Sequence, residues 1–170
     1  MRDTTTGQQY ENLTSLPAHL LKTGWKQHGD DYKSPCGTFT ATFHSKTRLH
    51  GTNGLLAQIE APNRNKVSVK RQPDEAMLLT NAITGGRRIK IIEKKTQRTS
   101  GSADEKLGTV IEKQEYYDYL FEGTGITPDY MFLLDEWFEH ARYNDYRRHW
   151  AKHNHKVMYG TYDNKILGIA

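Results

Sequence analysis

Apolar and polar positions are most regular in the middle of the chain. Met77 to Ile83 and Arg88 to Ile92 are apolar runs separated by Gly85-Gly86, a pattern that predicts two strands and a turn. Ser102 and Glu105 have capping-box spacing, and the helix they announce runs through Leu107, Val110 and Ile111, with a break near Gly108. It resumes through Tyr116, Tyr117, Leu120 and Phe121 and stops at Gly123 to Gly125. Tyr130 to Leu134 is a short continuous apolar run, read as a buried strand. Asp135 can cap a helix carrying Trp137, Phe138 and Ala141, and Asn144 or Asp145 can start another with Tyr146 and Trp150. Lys156 to Tyr162 predicts a last strand.

The flanks are less regular. Asp3 to Thr23 predicts helix in two pieces, the second capped by Ser15, with Pro17 in its first turn and Gly24 after its end. Gly29, Pro35 and Gly37 punctuate residues 25–48, where Thr38 to Phe43 alone alternate as a short strand or an extended arm. A short helix is expected between Gly54 and Ala61. The order of elements predicts an α/β domain: a mixed central β-sheet flanked by helices. With 170 residues and no strong linker, residues 1–170 read as a single domain.

Composition adds little until charge is considered. A net charge of +4 favours a polyanionic partner. The single cysteine, Cys36, excludes an intrachain disulfide framework and a cysteine-built zinc site. Without an apolar signal core or a run of about 20 apolar residues, a soluble cytoplasmic protein without a membrane partner is expected.

The candidate chemistry sits on the predicted strand pair. A turn at Gly85-Gly86 brings Asp74 back towards Glu93, and Lys95 leaves the same face as Glu93 because side chains alternate. Carboxylate oxygens suit a hard divalent cation, and an adjacent lysine can orient a water and steady a charged phosphate. The same letters also fit a solvated strand end with surface lysines.

Three segments in order sharpen this: PDEAM, IKIIEKKTQ and SGSADEKL, followed later by YMFLLDEWFEHARYNDY. Together with the opening GQQYENL they resemble type II restriction endonucleases of the PD-(D/E)XK nuclease superfamily. The resemblance implies a restriction-endonuclease-like core. It makes Asp74 and Glu93 ligands of Mg²⁺, for which Mn²⁺ can substitute, and Lys95 the base or water-positioning group. Gln97 and Glu11 would be further members of the site, although Glu11 also fits a solvated helix carboxylate. Lys94, on the other face of the strand, becomes a surface or phosphate contact. Arg98, Ser100 and Ser102 could meet the DNA backbone, Ser102 having its capping role as an alternative. The segment 25–53 matches no family motif; it is where target choice would be built, with Lys46 and Arg48 as DNA contacts.

The implied activity is Mg²⁺-dependent, sequence-specific cleavage of double-stranded DNA by a homodimer, alongside a cognate DNA methyltransferase acting on the same site. A two-fold dimer would match a palindromic target. The alternatives are a structure-specific repair, recombination or junction-resolving nuclease and a non-catalytic basic DNA-binding module. The run Arg147, Arg148, His149, Lys152, His153, His155 fits either a solvated helix face or phosphate binding. His149 and His153 have the spacing of a zinc pair but lack the intervening glutamate of the H-E-x-x-H arrangement.

Overall fold

The computed structural model describes Tyr10 and residues 14–97 and 103–170. Its centre is a mixed seven-stranded sheet whose spatial order is the chain order. The strands are β1 (Lys26–His28), β2 (Asp31–Lys33), β3 (Phe39–Phe43), β4 (Glu75–Asn81), β5 (Arg87–Lys95), β6 (Ile126–Leu134) and β7 (Lys156–Tyr159). β1 to β5 pair antiparallel; β6 pairs parallel with β5, and β7 parallel with β6. This is an α/β fold consistent with a restriction-endonuclease-like core.

Helices cover both faces. They are α1 (Leu16–Lys22), α2 (Thr47–His50), α3 (Leu55–Gln58), α4 (Ala103–Leu107), α5 (Val110–Phe121), α6 (Asn144–Lys152) and α7 (Asn164–Leu167). Side-chain alternation on β5 and β6 sorts the core. Ile89, Ile91, Tyr130, Phe132 and Leu134 pack with Leu120 and Phe121 of α5 and Trp150 of α6. Ile92, Met131 and Leu133 pack on the opposite side with Leu16 and Leu20 of α1 and Leu167 of α7. Gln114 locks α5 to the sheet: its side-chain oxygen accepts from the Tyr130 amide at 2.8 Å.

The predicted strand pair is present, with different ends. β4 stops at Asn81, whose side-chain oxygen accepts from the amides of Ile83 and Thr84 and so closes a loop before Gly86. Ile83 is therefore outside the sheet and 80% exposed. The helix break falls at Gly108 and Thr109, between α4 and α5. Asp135 caps as expected, accepting from the Trp137 amide, but the segment it starts, Glu136–Glu139, is a 3₁₀ turn. The last strand ends at Tyr159, where Gly160 takes a positive φ of 66°. Of the two predicted N-terminal helical pieces, the second is α1; the first lies outside the described residues apart from Tyr10.

Two features depart further from expectation. β1 and β2 form a hairpin within the segment read as irregular, joined across Gly29 and Asp30. All of β1 is exposed, so no apolar alternation announces it. Lys94 is the other. It is buried rather than a surface or phosphate contact: its ammonium donates to Glu75 Oε1 and to the Thr14 carbonyl, each at 2.7 Å. Glu75 also accepts from the Leu16 amide at 3.1 Å, so the pair seats the start of α1 on the sheet. Among the described residues, no helix is long and apolar enough to cross a membrane.

Removing one partner of a buried ion pair strands the other charge. Lys94→Met should therefore destabilise the protein by about 3–5 kcal/mol, measured by urea unfolding; a loss below about 1 kcal/mol would contradict the structural role.

Candidate active site

The C-terminal end of β5 carries the proposed chemistry. Glu93 and Lys95 follow Ile89 and Ile91 onto the face covered by α5. The register pairs Glu75 with Ile92, so Asp74, one residue earlier, comes opposite Glu93. Asp74 is held there: its Oδ2 accepts the Lys94 amide at 2.7 Å. The three residues expected to converge do so, with Asp74 at the entrance of β4 and the other two on β5.

Lys95 donates to Glu93 Oε1 at 2.6 Å and to the Lys94 carbonyl at 3.2 Å. A second lysine, absent from the sequence reading, reaches the same carboxylate. Lys113 of α5 lies 3.4 Å from Glu93 Oε1, with its ammonium 5.6 Å from the centre of the Tyr130 ring. Its signal was present: Val110, Lys113, Tyr117 and Leu120 have the spacing of one helix face, and the other three are buried. A charge in an apolar stripe needs a partner inside the protein, and Glu93 is that partner.

The environment shapes these charges. Burial pushes the Glu93 carboxyl upward, but Lys95 and Lys113 outweigh it and hold the group below the usual carboxylate range. Burial lowers the Lys113 ammonium, Glu93 opposes that, and the like charge of Lys95 adds to it. The Tyr117 and Tyr130 phenols are raised, first by burial and then by Glu93, with Asp74 contributing at both. Both carboxylates thus act on the same pair of rings. The buried Tyr130 hydroxyl has no partner among the described residues, so a water or a bound oxygen would satisfy it.

The donor set fits a hard divalent cation by chemistry. Mg²⁺ commonly takes one or two protein carboxylates and fills the rest of its shell with water and substrate oxygen. Asp74 and Glu93 supply two. Among the described residues, no group of three or more His, Cys, Asp or Glu side chains could hold a metal. His149 and His153, the pair considered for zinc, have rings 4.6 Å apart, and no third ligand among the described residues completes a group with them.

The remaining candidates separate. Gln97 is directed away from the cluster: its amide nitrogen donates to Asp104 of α4 at 3.2 Å, and its backbone donates to Asp135. With Tyr10 and Trp137 it lines a neighbouring cleft of about 390 Å³. Lys46 and Asp74 line another cleft, of about 280 Å³, and the Lys46 amide donates to the Pro73 carbonyl. Arg48 is exposed on α2. Glu11, Arg98, Ser100 and Ser102 lie outside the described residues. In the C-terminal basic run, Arg147 is occupied by the Phe138 and His140 carbonyls, and Arg148 pairs with Asp145.

The chain is similar to the solved structure of an XisH family protein from Nostoc punctiforme PCC 73102, at 12% identity, covering 69% of this chain and 92% of that one. The TM-score is 0.32, too low to support a functional argument. No family model matches the sequence, and no curated protein matches it.

Lys113→Met removes one of two cations that keep Glu93 ionised. The Glu93 carboxyl should then titrate at higher pH, followed by carbon-detected NMR of the carboxyl resonance. The sign of the linkage is fixed by the lowered folded value: Glu93 contributes stability above the ordinary carboxylate range and loses it as pH falls through that lowered value. An unmoved titration would show that Lys113 does not act on Glu93.

Proposed function

We propose that the protein is a metal-dependent deoxyribonuclease, acting as a sequence-specific endonuclease on double-stranded DNA. The observation that carries this reading is the placement of Asp74 opposite Glu93, with Lys95 beside Glu93 on one face of β5. Asp74 and Glu93 would hold Mg²⁺, with Mn²⁺ as a substitute. Bound there, the cation supplies charge neutralisation for the phosphate and a water of lowered pKa. Lys95 is placed to orient that water and to steady charge on the phosphate oxygens. Lys113 is a second cation on the same carboxylate and would stand beside a phosphate bound there. Tyr117 and Tyr130 form a low-dielectric wall in which those charges act more strongly than in water.

The segment 25–53 supports a DNA-facing role. β1 is an exposed edge strand of the sheet, paired with β2, and carries Lys26 and His28. Lys46 and Arg48 follow it, both exposed, and Lys46 shares a cleft with Asp74. Cutting both strands of a palindromic site would call for a homodimer, and a cognate methyltransferase would protect host DNA.

Incubation of unmodified phage DNA with the protein and Mg²⁺ should give discrete fragments, with ends mappable by sequencing. Glu93→Gln and Lys95→Met should each slow cutting by at least about 100-fold while gel shifts retain DNA binding. Undiminished cutting by both variants would move the active site elsewhere. No cutting by the parent protein on linear duplex, but cleavage of branched DNA, would favour the junction-resolving alternative.

A further inference from the structure

A second concentration of charge lies at the opposite end of β5. Arg87, Arg88 and Lys90 open that strand, and Lys156 opens β7. All four line a cleft of about 620 Å³, whose remaining wall includes Phe39 and Leu79. No acidic residue lines it. The carboxylate that compensates these cations, Asp129 of β6, sits behind the wall. It accepts from Lys90 at 2.5 Å and lies 3.3 Å from Arg88 and 3.8 Å from Lys156. One negative charge therefore serves three cations, and Arg87 adds a fourth, which donates to the neutral Thr124 carbonyl and has no acidic partner among the described residues.

Burial makes this arrangement informative. The Lys90 side chain is 2% exposed and that of Asp129 14% exposed. Like charges gathered in a partly enclosed space repel unless an anion enters, and low-dielectric walls strengthen that effect. The volume falls within the range of about 300–1,000 Å³ typical of small-molecule sites. Gly86, Gly125 and Gly168 also line the cleft, so little side-chain bulk narrows it.

We infer that this cleft binds a phosphate-bearing ligand, its phosphate held by Arg87, Arg88 and Lys156 over the buried Lys90–Asp129 pair. The partly buried Phe39 ring would flank the group that carries that phosphate. Along the strand the cleft's Arg87, Arg88 and Lys90 lie about 10–20 Å from Glu93, and neither Glu93 nor Lys95 lines it, so it is a different site from the proposed catalytic one.

The test uses the full chain and inorganic pyrophosphate, titrated by calorimetry at constant ionic strength. Saturable binding is expected. Arg87→Gln and Lys156→Gln should each weaken it at least about fivefold, and Lys152→Gln, on α6 outside the cleft, should not. Both test residues have partly or fully exposed side chains, so thermal melting should confirm intact folding. A short duplex DNA is then added. If it displaces pyrophosphate, the phosphate recognised is that of DNA backbone; if it does not, the ligand is a free small phosphate. Either outcome supports the site. No saturable binding of pyrophosphate or duplex, or binding that the Arg87→Gln Lys156→Gln double variant leaves intact, overturns it.

Discussion

The ion pair between Lys94 and Glu75 is the constraint on which the site depends. β5 places Glu93 and Lys95 on one face, so the residue between them must enter the other face. That face is the floor of α1, and a lysine there is tolerated only with a carboxylate and further hydrogen-bonding partners. Glu75 and the Thr14 carbonyl supply them. The pair joins β4, β5 and the start of α1, since Glu75 also takes the Leu16 amide. It fixes the pairing of β4 with β5 at the position where Asp74 must meet the Lys94 backbone. A slip of one residue would send Glu93 and Lys95 towards α1 and Lys94 towards α5.

On the opposite face, the electrostatics favour an ionised carboxylate and crowded ammonium groups. Glu93 is partly buried, a setting that alone would favour its protonated form. Two lysines reverse that preference, and their mutual repulsion leaves cationic charge beside it. Two lysines therefore share one partly buried carboxylate, beside a buried Tyr130 hydroxyl that has no partner among the described residues.

The parts of this arrangement differ in how far the chain reveals them. Period-two alternation and the glycine turn gave β4 and β5, and with them the meeting of Asp74, Glu93 and Lys95. The helix after β5 and the apolar run of β6 were equally legible because their burial is one-sided or complete; the expected cap at Ser102 lies outside the described residues. The β1–β2 hairpin was not, since an exposed edge ribbon carries no hydrophobic period. Lys94 was misread because a run of charge at a strand end ordinarily faces water, and only its partner, Glu75, shows that it does not. Lys113 lies twenty residues beyond Glu93 in sequence, and periodicity marks it as buried without saying against what. Gln97 follows the lysine by the expected interval, yet beyond the strand the chain turns towards Asp104.

The topology explains why chemistry gathers at this end of β5. β5 is the strand with an antiparallel neighbour on one side and a parallel neighbour on the other. Its C-terminal end therefore lies beside the beginning of β4 and the end of β6. The first contributes Asp74, arriving through an irregular segment free to bend. The second contributes Asp135, which binds the Thr96 hydroxyl and the Gln97 amide and steers the chain leaving β5. In a purely parallel sheet, strand ends of one polarity would meet, and a residue entering a strand could not face one leaving it. The same reversal operates at the other end, where β4 finishes beside the starts of β5 and β6. There Arg87 and Arg88 gather, and the cations converge on Asp129 across the parallel pairing with β6. One mixed strand thus gives the sheet two charged ends: one built around carboxylates with lysines attending, the other around cations that share one carboxylate.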